Sequence, residues 1–257
     1  MTYFCTLASG SSGNSTVYVD ERARILVDAG KNTRYLTERL RRLGLGPGEL
    51  THILVTHSHG DHVSALPVLL KHTGARLVCS FETYSAIGHR LPRGAEPLLF
   101  QPGEALSLAG CPVRSFATSH DAPGSCGYVL GQEGSRVAFC TDMGTMDGTI
   151  FETIRGSRAV VLEFNHDADL LKTGPYPYAL KARILSDRGH LSNRFSAKVA
   201  VRLAQTGTEH ITLAHLSAEN NRPALALGAA EDALRQAGLE PELVLAPRDE
   251  MGTPVFL

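Results

Sequence analysis

Among the 11 histidines of this 257-residue chain, His57-Ser58-His59-Gly60-Asp61-His62 crowds three imidazoles and a carboxylate into one short segment. Imidazole and carboxylate together suit zinc, manganese or iron, whereas a thiolate zinc site needs paired cysteines. The 5 cysteines, Cys5, Cys79, Cys111, Cys126 and Cys140, are far apart and show no Cys-x-x-Cys spacing. That spacing and the odd number argue against a disulfide framework as well. In an extended segment alternate residues share a side, so His57 and His59 face one way while Asp61 and His62 enter the next helix, and the four can divide between two ions. Gly60 is expected to give the sharp turn between them. Four side chains do not close two metal sites. Further ligands are expected at strand ends, where His120, Asp142 and His215 each stand just past an apolar run.

The elements that must position these residues are legible as runs and periods. Tyr3 to Leu7, Thr16 to Val19 and Ile25 to Val27 are short apolar strands separated by turn residues. Leu36, Leu40 and Leu43 follow helical spacing, with Asn32 or Thr33 as cap and Gly44 as terminator. His52 to Thr56 is a buried-strand pattern leading into the histidine cluster, and Val63 to His72 is an amphipathic helix. Further strands are expected at 76–79, 113–118, 128–130, 136–141, 159–164, 211–214 and 243–245. Helices are expected at 195–205 and 224–236, the latter with Pro223 near its first turn. Without a linker-like stretch or repeat, this reads as one domain over 1–257, with two sheets and an outer layer of helices on each side, αββα.

Composition bounds the function classes. Hydrophobic residues at 43% and charged residues at 20% exclude a disordered or fibrous chain. No apolar run approaches the ~18 to 20 residues of a membrane span, and the N-terminus lacks a basic and then apolar leader, so a cytoplasmic protein with no membrane partner is expected. A formal net charge of −1 gives no long-range attraction to nucleic acid, so such a partner must be met by a local patch. One exists between His166 and Arg202, where Lys172, Lys181, Arg183, Arg188, Arg194, Lys198 and Arg202 outnumber Asp167, Asp169 and Asp187. Tyr176, Tyr178 and Phe195 add stacking surfaces there.

HSHGDH after an apolar strand resembles the HxHxDH signature of the metallo-β-lactamase-fold hydrolases, and the later His, Asp and His fall in that superfamily's order. The resemblance implies that His57, His59 and His120 hold one metal, that Asp61, His62 and His215 hold the other, and that Asp142 bridges both. The phrases LASGSSGNST, VTHSHGDH, ATSHDAPGSCGYVL, CTDMG, LEFNHD, LKARILSDRGHLSN and LAHLSAENN are similar to the YycJ (WalJ) branch over nearly the whole chain. That branch implies a DNA exonuclease acting from the 5′ end. Gly189-His190-Leu191-Ser192 resembles an element of the superfamily's phosphodiesterases, which implies that His190 lies near the metals as general acid or transition-state stabiliser. The stretch from Asp142 to His190 is too short for the cap domain of many relatives, so an open site is expected.

His190, Asp61 and Glu163 are thus the expected catalytic residues, with Glu163 at a strand end able to accept the second N–H of His190. Ser11, Ser12 and Asn14, in a glycine-rich turn whose amides can cradle a phosphate, are expected to bind substrate with Arg188 and Asn193. A water shared by two divalent ions ionises near neutrality and supplies hydroxide for attack on a phosphodiester. Two other readings use the same ligands. One is a small-molecule hydrolase acting on a cyclic phosphodiester, thiolester or lactone; the other is a non-hydrolytic binder or redox protein holding iron.

Overall fold

The computed structural model describes residues 1–257. Its strands are β1 (Tyr3–Ala8), β2 (Ser15–Val19), β3 (Arg24–Val27), β4 (His52–Leu54), β5 (Arg76–Ser80), β6 (Leu98–Phe100), β7 (Ala105–Leu108), β8 (Cys111–Ala117), β9 (Cys126–Leu130), β10 (Val137–Cys140), β11 (Ala159–Glu163), β12 (His210–Ala214), β13 (Glu242–Leu245) and β14 (Val255–Phe256). The helices are α1 (Thr33–Arg42), α2 (Gly60–Val63), α3 (Leu66–His72), α4 (Phe81–Ile87), α5 (Gly148–Ile154), α6 (Ala168–Thr173), α7 (Tyr178–Ile184), α8 (Asn193–Gln205) and α9 (Pro223–Gln236). Two mixed seven-stranded sheets result, ordered β14-β1-β2-β3-β4-β5-β6 and β13-β12-β11-β10-β9-β8-β7, each flanked by helices. The expected αββα class is met. The chain forms two compact units, Met1–Ala117 with Ala122–Cys126 and Pro247–Leu257, and Thr118–Asp121 with Gly127–Ala246.

Strand direction decides where chemistry can gather. In the first unit β1, β2 and β3 are an antiparallel meander, and β3, β4, β5 and β6 run parallel. The C-terminal ends of β1, β3, β4 and β5 therefore share one sheet edge, and the segments that leave it are 9–14, 28–32 and 55–62. Beneath them, Cys5, Leu7, Val17, Leu26, Ile53, Val55, Leu77 and Cys79 pack with Leu36 and Leu40 of α1 and with Leu66 and Leu69 of α3. The Asn32 side chain accepts the Tyr35 N–H at 2.9 Å to start α1. Gly44, at φ +75°, ends it.

In the second unit β10, β11, β12 and β13 run parallel, so the residues after Cys140, Leu162 and Ala214 again share one edge. Helices α8 and α9 pack against this part of the sheet and against each other. Three expectations change. The helix from Val63 to His72 is two pieces, because Pro67 has no N–H to bond backward and can stand only in the first turn of a new helix. The basic segment folds α6 and α7, α6 being capped by the Asp167 carboxylate on the N–H groups of Asp169 and Leu170. Helix α8 begins at Asn193, two residues early, with Ser192 accepting the Phe195 N–H.

Candidate metal centre

In the first unit, β4 delivers Thr56 and His57 to the sheet edge and α2 returns Asp61 and His62. The His57 ring lies 4.6 Å from that of His59, edge to face, and 4.1 Å from that of His62. His57 and His62 are fully buried. A residue outside the expected set organises them: Asp28, directly after β3. Its Oδ1 accepts the Thr56 N–H at 2.8 Å, and its Oδ2 accepts the Thr56 hydroxyl at 2.9 Å and lies 2.8 Å from His62 Nδ1. An ionised carboxylate only accepts, so the His62 proton is on Nδ1 and the lone pair on Nε2. The Thr56 hydroxyl, having donated to Asp28, accepts from His57 Nδ1 at 3.0 Å, which again leaves Nε2 as the basic atom.

Glycines elsewhere than expected bring the segments together. Gly60 has no positive φ, and a Cβ there meets open space, so the sharp turn ascribed to it does not exist. The close approach is at Gly30, where a Cβ would stand 1.6 Å from the Asp61 carbonyl oxygen. Gly13 packs in turn on Gly30. This contact lets the Asn14 N–H reach Asp61 O at 2.8 Å and the Gly30 N–H reach Asn14 O at 2.9 Å. Asn14 is buried. Its Oδ1 accepts the Gly10 N–H, and its Nδ2 lies 3.0 Å from His62 Nε2 and 3.3 Å from Asp61 Oδ2. The Asn14 amide thus points at His62 and Asp61, two of the expected metal ligands, and not at solvent. Ser11 and Ser12 remain exposed.

In the second unit, Asp142, Glu163, His190 and His215 bring ligand atoms within 4.8 Å of one another. Glu163, fully buried, lies 2.7 Å from His190 Nδ1 and 2.9 Å from His215 Nδ1 through one oxygen. Its other oxygen accepts the N–H groups of Met143 and Leu191. Burial alone would raise this carboxyl, but the neighbouring His190 and the bonds from His190 and His215 outweigh it and hold it well below the usual carboxylate range. His120 Nδ1 faces the Gly189 carbonyl at 3.3 Å. Burial pushes the His120 ring below its ordinary value, against the pull of Asp142.

These contacts test whether the donor set suits a metal. With its Nδ1 proton held by Glu163, the buried ring of His215 turns Nε2 toward Asp142 Oδ1 at 3.5 Å, and His120 Nε2 lies 3.3 Å from Asp121 Oδ1 and 3.9 Å from Asp142 Oδ1. Lone pairs facing a carboxylate in a dry site repel unless a cation lies among them. An imidazole oriented through its other nitrogen by a carboxylate or carbonyl is a usual metal-ligand arrangement. The residues fit a divalent ion.

Backbone strain marks the same positions. Only four non-glycine residues have positive φ: Asp28 at 61°, Asp142 at 58°, His215 at 59°, and Ala109 in the β7–β8 turn. The first three follow the ends of parallel strands β3, β10 and β12. Each such residue costs about 1 to 3 kcal/mol, strain found where side-chain placement requires it. Asn193 is buried in a reciprocal amide pair with Asn221 at 2.9 Å, so it is not offered to a ligand. Arg188 is exposed.

A family model described as the metallo-beta-lactamase superfamily matches residues 8–215. Exodeoxyribonuclease YycJ of Bacillus anthracis is 33% identical over 239 residues, 92% of this chain and 90% of that protein. Exodeoxyribonuclease WalJ of Streptococcus pneumoniae is 33% identical over 240 residues, 92% of this chain and 89% of that protein. The crystal structure of YhfI, a metallo-beta-lactamase fold protein from Bacillus subtilis, covers 100% of both chains with a TM-score of 0.76 at 14% identity, which shows the shared fold.

Proposed function

The chain belongs to the metallo-β-lactamase superfamily and is a metal-dependent hydrolase, and we propose that it is a DNA exonuclease that works from the 5′ end. The observation that carries this reading is the match to proteins named exodeoxyribonucleases along nine-tenths of this chain and of each relative. The residues that would hold divalent ions, zinc or manganese by ligand chemistry and iron by the same criterion, are His57, His59, Asp61 and His62 in the first unit and His120, Asp142 and His215 in the second. The chemistry such ions supply is charge neutralisation at the phosphodiester and a water acidic enough to attack near neutral pH.

The protein's own residues supply the rest. Asp28 holds the Nδ1 side of His62, and Glu163 holds those of His190 and His215, which orients these three rings. His190, held at Nδ1 by Glu163, would release a proton from Nε2 to the departing deoxyribose oxygen as water oxygen bonds to phosphorus and the P–O bond breaks, and the proton lost by that water passes to solvent, from which His190 is reprotonated. The substrate strand is assigned to the basic segment, whose Lys172, Arg188, Arg194 and Lys198 are exposed beside Tyr178, 86% exposed, and Phe195, 41% exposed.

Incubation of metal-replete protein with end-labelled duplex DNA, single-stranded DNA, RNA and bis-p-nitrophenyl phosphate tests the assignment. Stepwise loss of mononucleotides from DNA, abolished by chelator, is expected. Turnover of RNA alone, or of small esters alone, would overturn it.

A further inference from the structure

Next to the glycine contact that seats Asp61 lies an arrangement that metal binding does not use. Lys31 Nζ is 2.6 Å from Asp249 Oδ1 and 2.7 Å from Ser12 Oγ, and the Ser12 hydroxyl donates to the same Asp249 oxygen at 3.2 Å. The pair is asymmetric. The Lys31 side chain is 12% exposed and that of Asp249 is 65% exposed. Lys31 is held because its stem lies on the backbone at Gly13, where a Cβ would come within 2.9 Å of Lys31 Cδ. Gly30, the preceding residue, is bonded to Asn14 and packed on Asp61, so the ammonium sits at a fixed offset from the HSHGDH segment within one unit.

The surrounding charge is mixed, and the Arg39 guanidinium nearby is itself 3.5 Å from the Glu38 carboxylate. Arg248 precedes Asp249, and the Arg39 guanidinium lies 4.7 Å from the centroid of the Tyr35 ring that Lys31 also approaches at 5.7 Å. Glu250 is the acidic neighbour. An ion pair this open adds little to stability, so exchanging its carboxylate for a stronger anion costs the fold little. A phosphate monoester brings nearly two charges and three acceptor oxygens, against one charge and two oxygens for a carboxylate. The internal phosphodiesters of a strand carry one charge each and are flanked by sugars on both sides. Ammonium and hydroxyl donors together therefore select an end.

We propose that Lys31 and Ser12 form a subsite for the terminal phosphate of a nucleic acid strand, and that Asp249 occupies it until the phosphate displaces it. The place of this subsite in turnover rests on the exonuclease reading. Its occupancy by phosphate does not. A terminal phosphate seated there sets the first linkage at a constant distance from the ligand cluster, which makes cleavage exonucleolytic by register.

The test compares DNA with a 5′ phosphate and DNA with a 5′ hydroxyl, on the metal-replete full chain, by kcat/KM and by competition against a fluorescent oligonucleotide. The wild type is expected to favour the phosphate about 10-fold or more, the scale of one or two charge-assisted hydrogen bonds. Lys31→Met should bring the ratio close to one, and Ser12→Ala should lower it partway. Asp249→Asn should raise it, because the competing carboxylate is weakened. A purely structural ion pair predicts that Lys31→Met and Asp249→Asn move the ratio alike, and that result overturns the proposal. A wild-type ratio of one in both assays also overturns it and leaves the exonuclease reading intact. Preference in competition without cleavage of either DNA keeps the subsite and discards the exonuclease.

Discussion

His190 and Glu163 illustrate how far a residue type and its neighbours carry an assignment. The sequence placed both at strand or loop ends, and their separation of 2.7 Å makes them an oriented pair with one oxygen of Glu163 serving His190 and His215 together. If His190 protonates the leaving group, His190→Ala loses roughly 10²- to 10⁴-fold in the rate on DNA while bound metal stays at the wild-type level. The same variant loses far less on bis-p-nitrophenyl phosphate, whose leaving phenolate departs unprotonated. Equal losses on the two substrates would remove the acid role. Asp28 ends an apolar strand as Asp142 does, but it stands ahead of the histidine cluster with no ligand spacing to mark it. Because Asp28 holds His62 and Thr56 at once, Asp28→Ala should weaken metal binding by about 10- to 100-fold, read by competition with a chromogenic chelator.

Elements were easier to locate than to bound. Apolar runs gave most strands of both sheets, since burial leaves long runs of Val, Ile and Leu. The short strands β6 and β7 and helices α4 to α7 had too few residues to show a period. Close backbone contact is invisible in a sequence, which is why the turn was ascribed to Gly60 when the tight approach is at Gly30. The two glycines now make opposite predictions. Gly30→Ala drives a Cβ into the Asp61 carbonyl and should cost on the order of 3 kcal/mol or more of stability, with loss of metal. Gly60→Ala, placed in open space at the start of α2, should unfold within about 1 kcal/mol of wild type in denaturant titrations.

At the scale of the molecule, burial governs both thiols and pH dependence. All five cysteines are buried, and burial pushes the thiols of Cys5 and Cys79 up to about 12. Native protein should therefore react negligibly with a thiol reagent that modifies every cysteine after unfolding. His166, 1% exposed, is lowered by burial to about 4. Its folded value lies below its unfolded value, so the unfolded chain binds the extra proton and stability falls as pH drops from about 6.5 toward 4. The loss attributable to this ring is on the order of 3 kcal/mol, and denaturant titrations at pH 7 and pH 4 should show a smaller fall for His166→Gln than for wild type. What the sequence could not supply at this scale is strand order, which depends on pairings between distant segments. The grouping of the ligands came instead from the resemblance of HSHGDH and the later His, Asp and His to the superfamily pattern.

Cleavage polarity tests the central claim most directly. Linear duplex DNA labelled with different fluorophores near its 5′ and 3′ termini, incubated with the metal-replete chain, is expected to release the 5′ label first as a mononucleotide or short product, and to release neither in chelator. Release of the 3′ label first, simultaneous release of both, or cleavage that continues unchanged in chelator would contradict the account of a metal-dependent 5′ exonuclease.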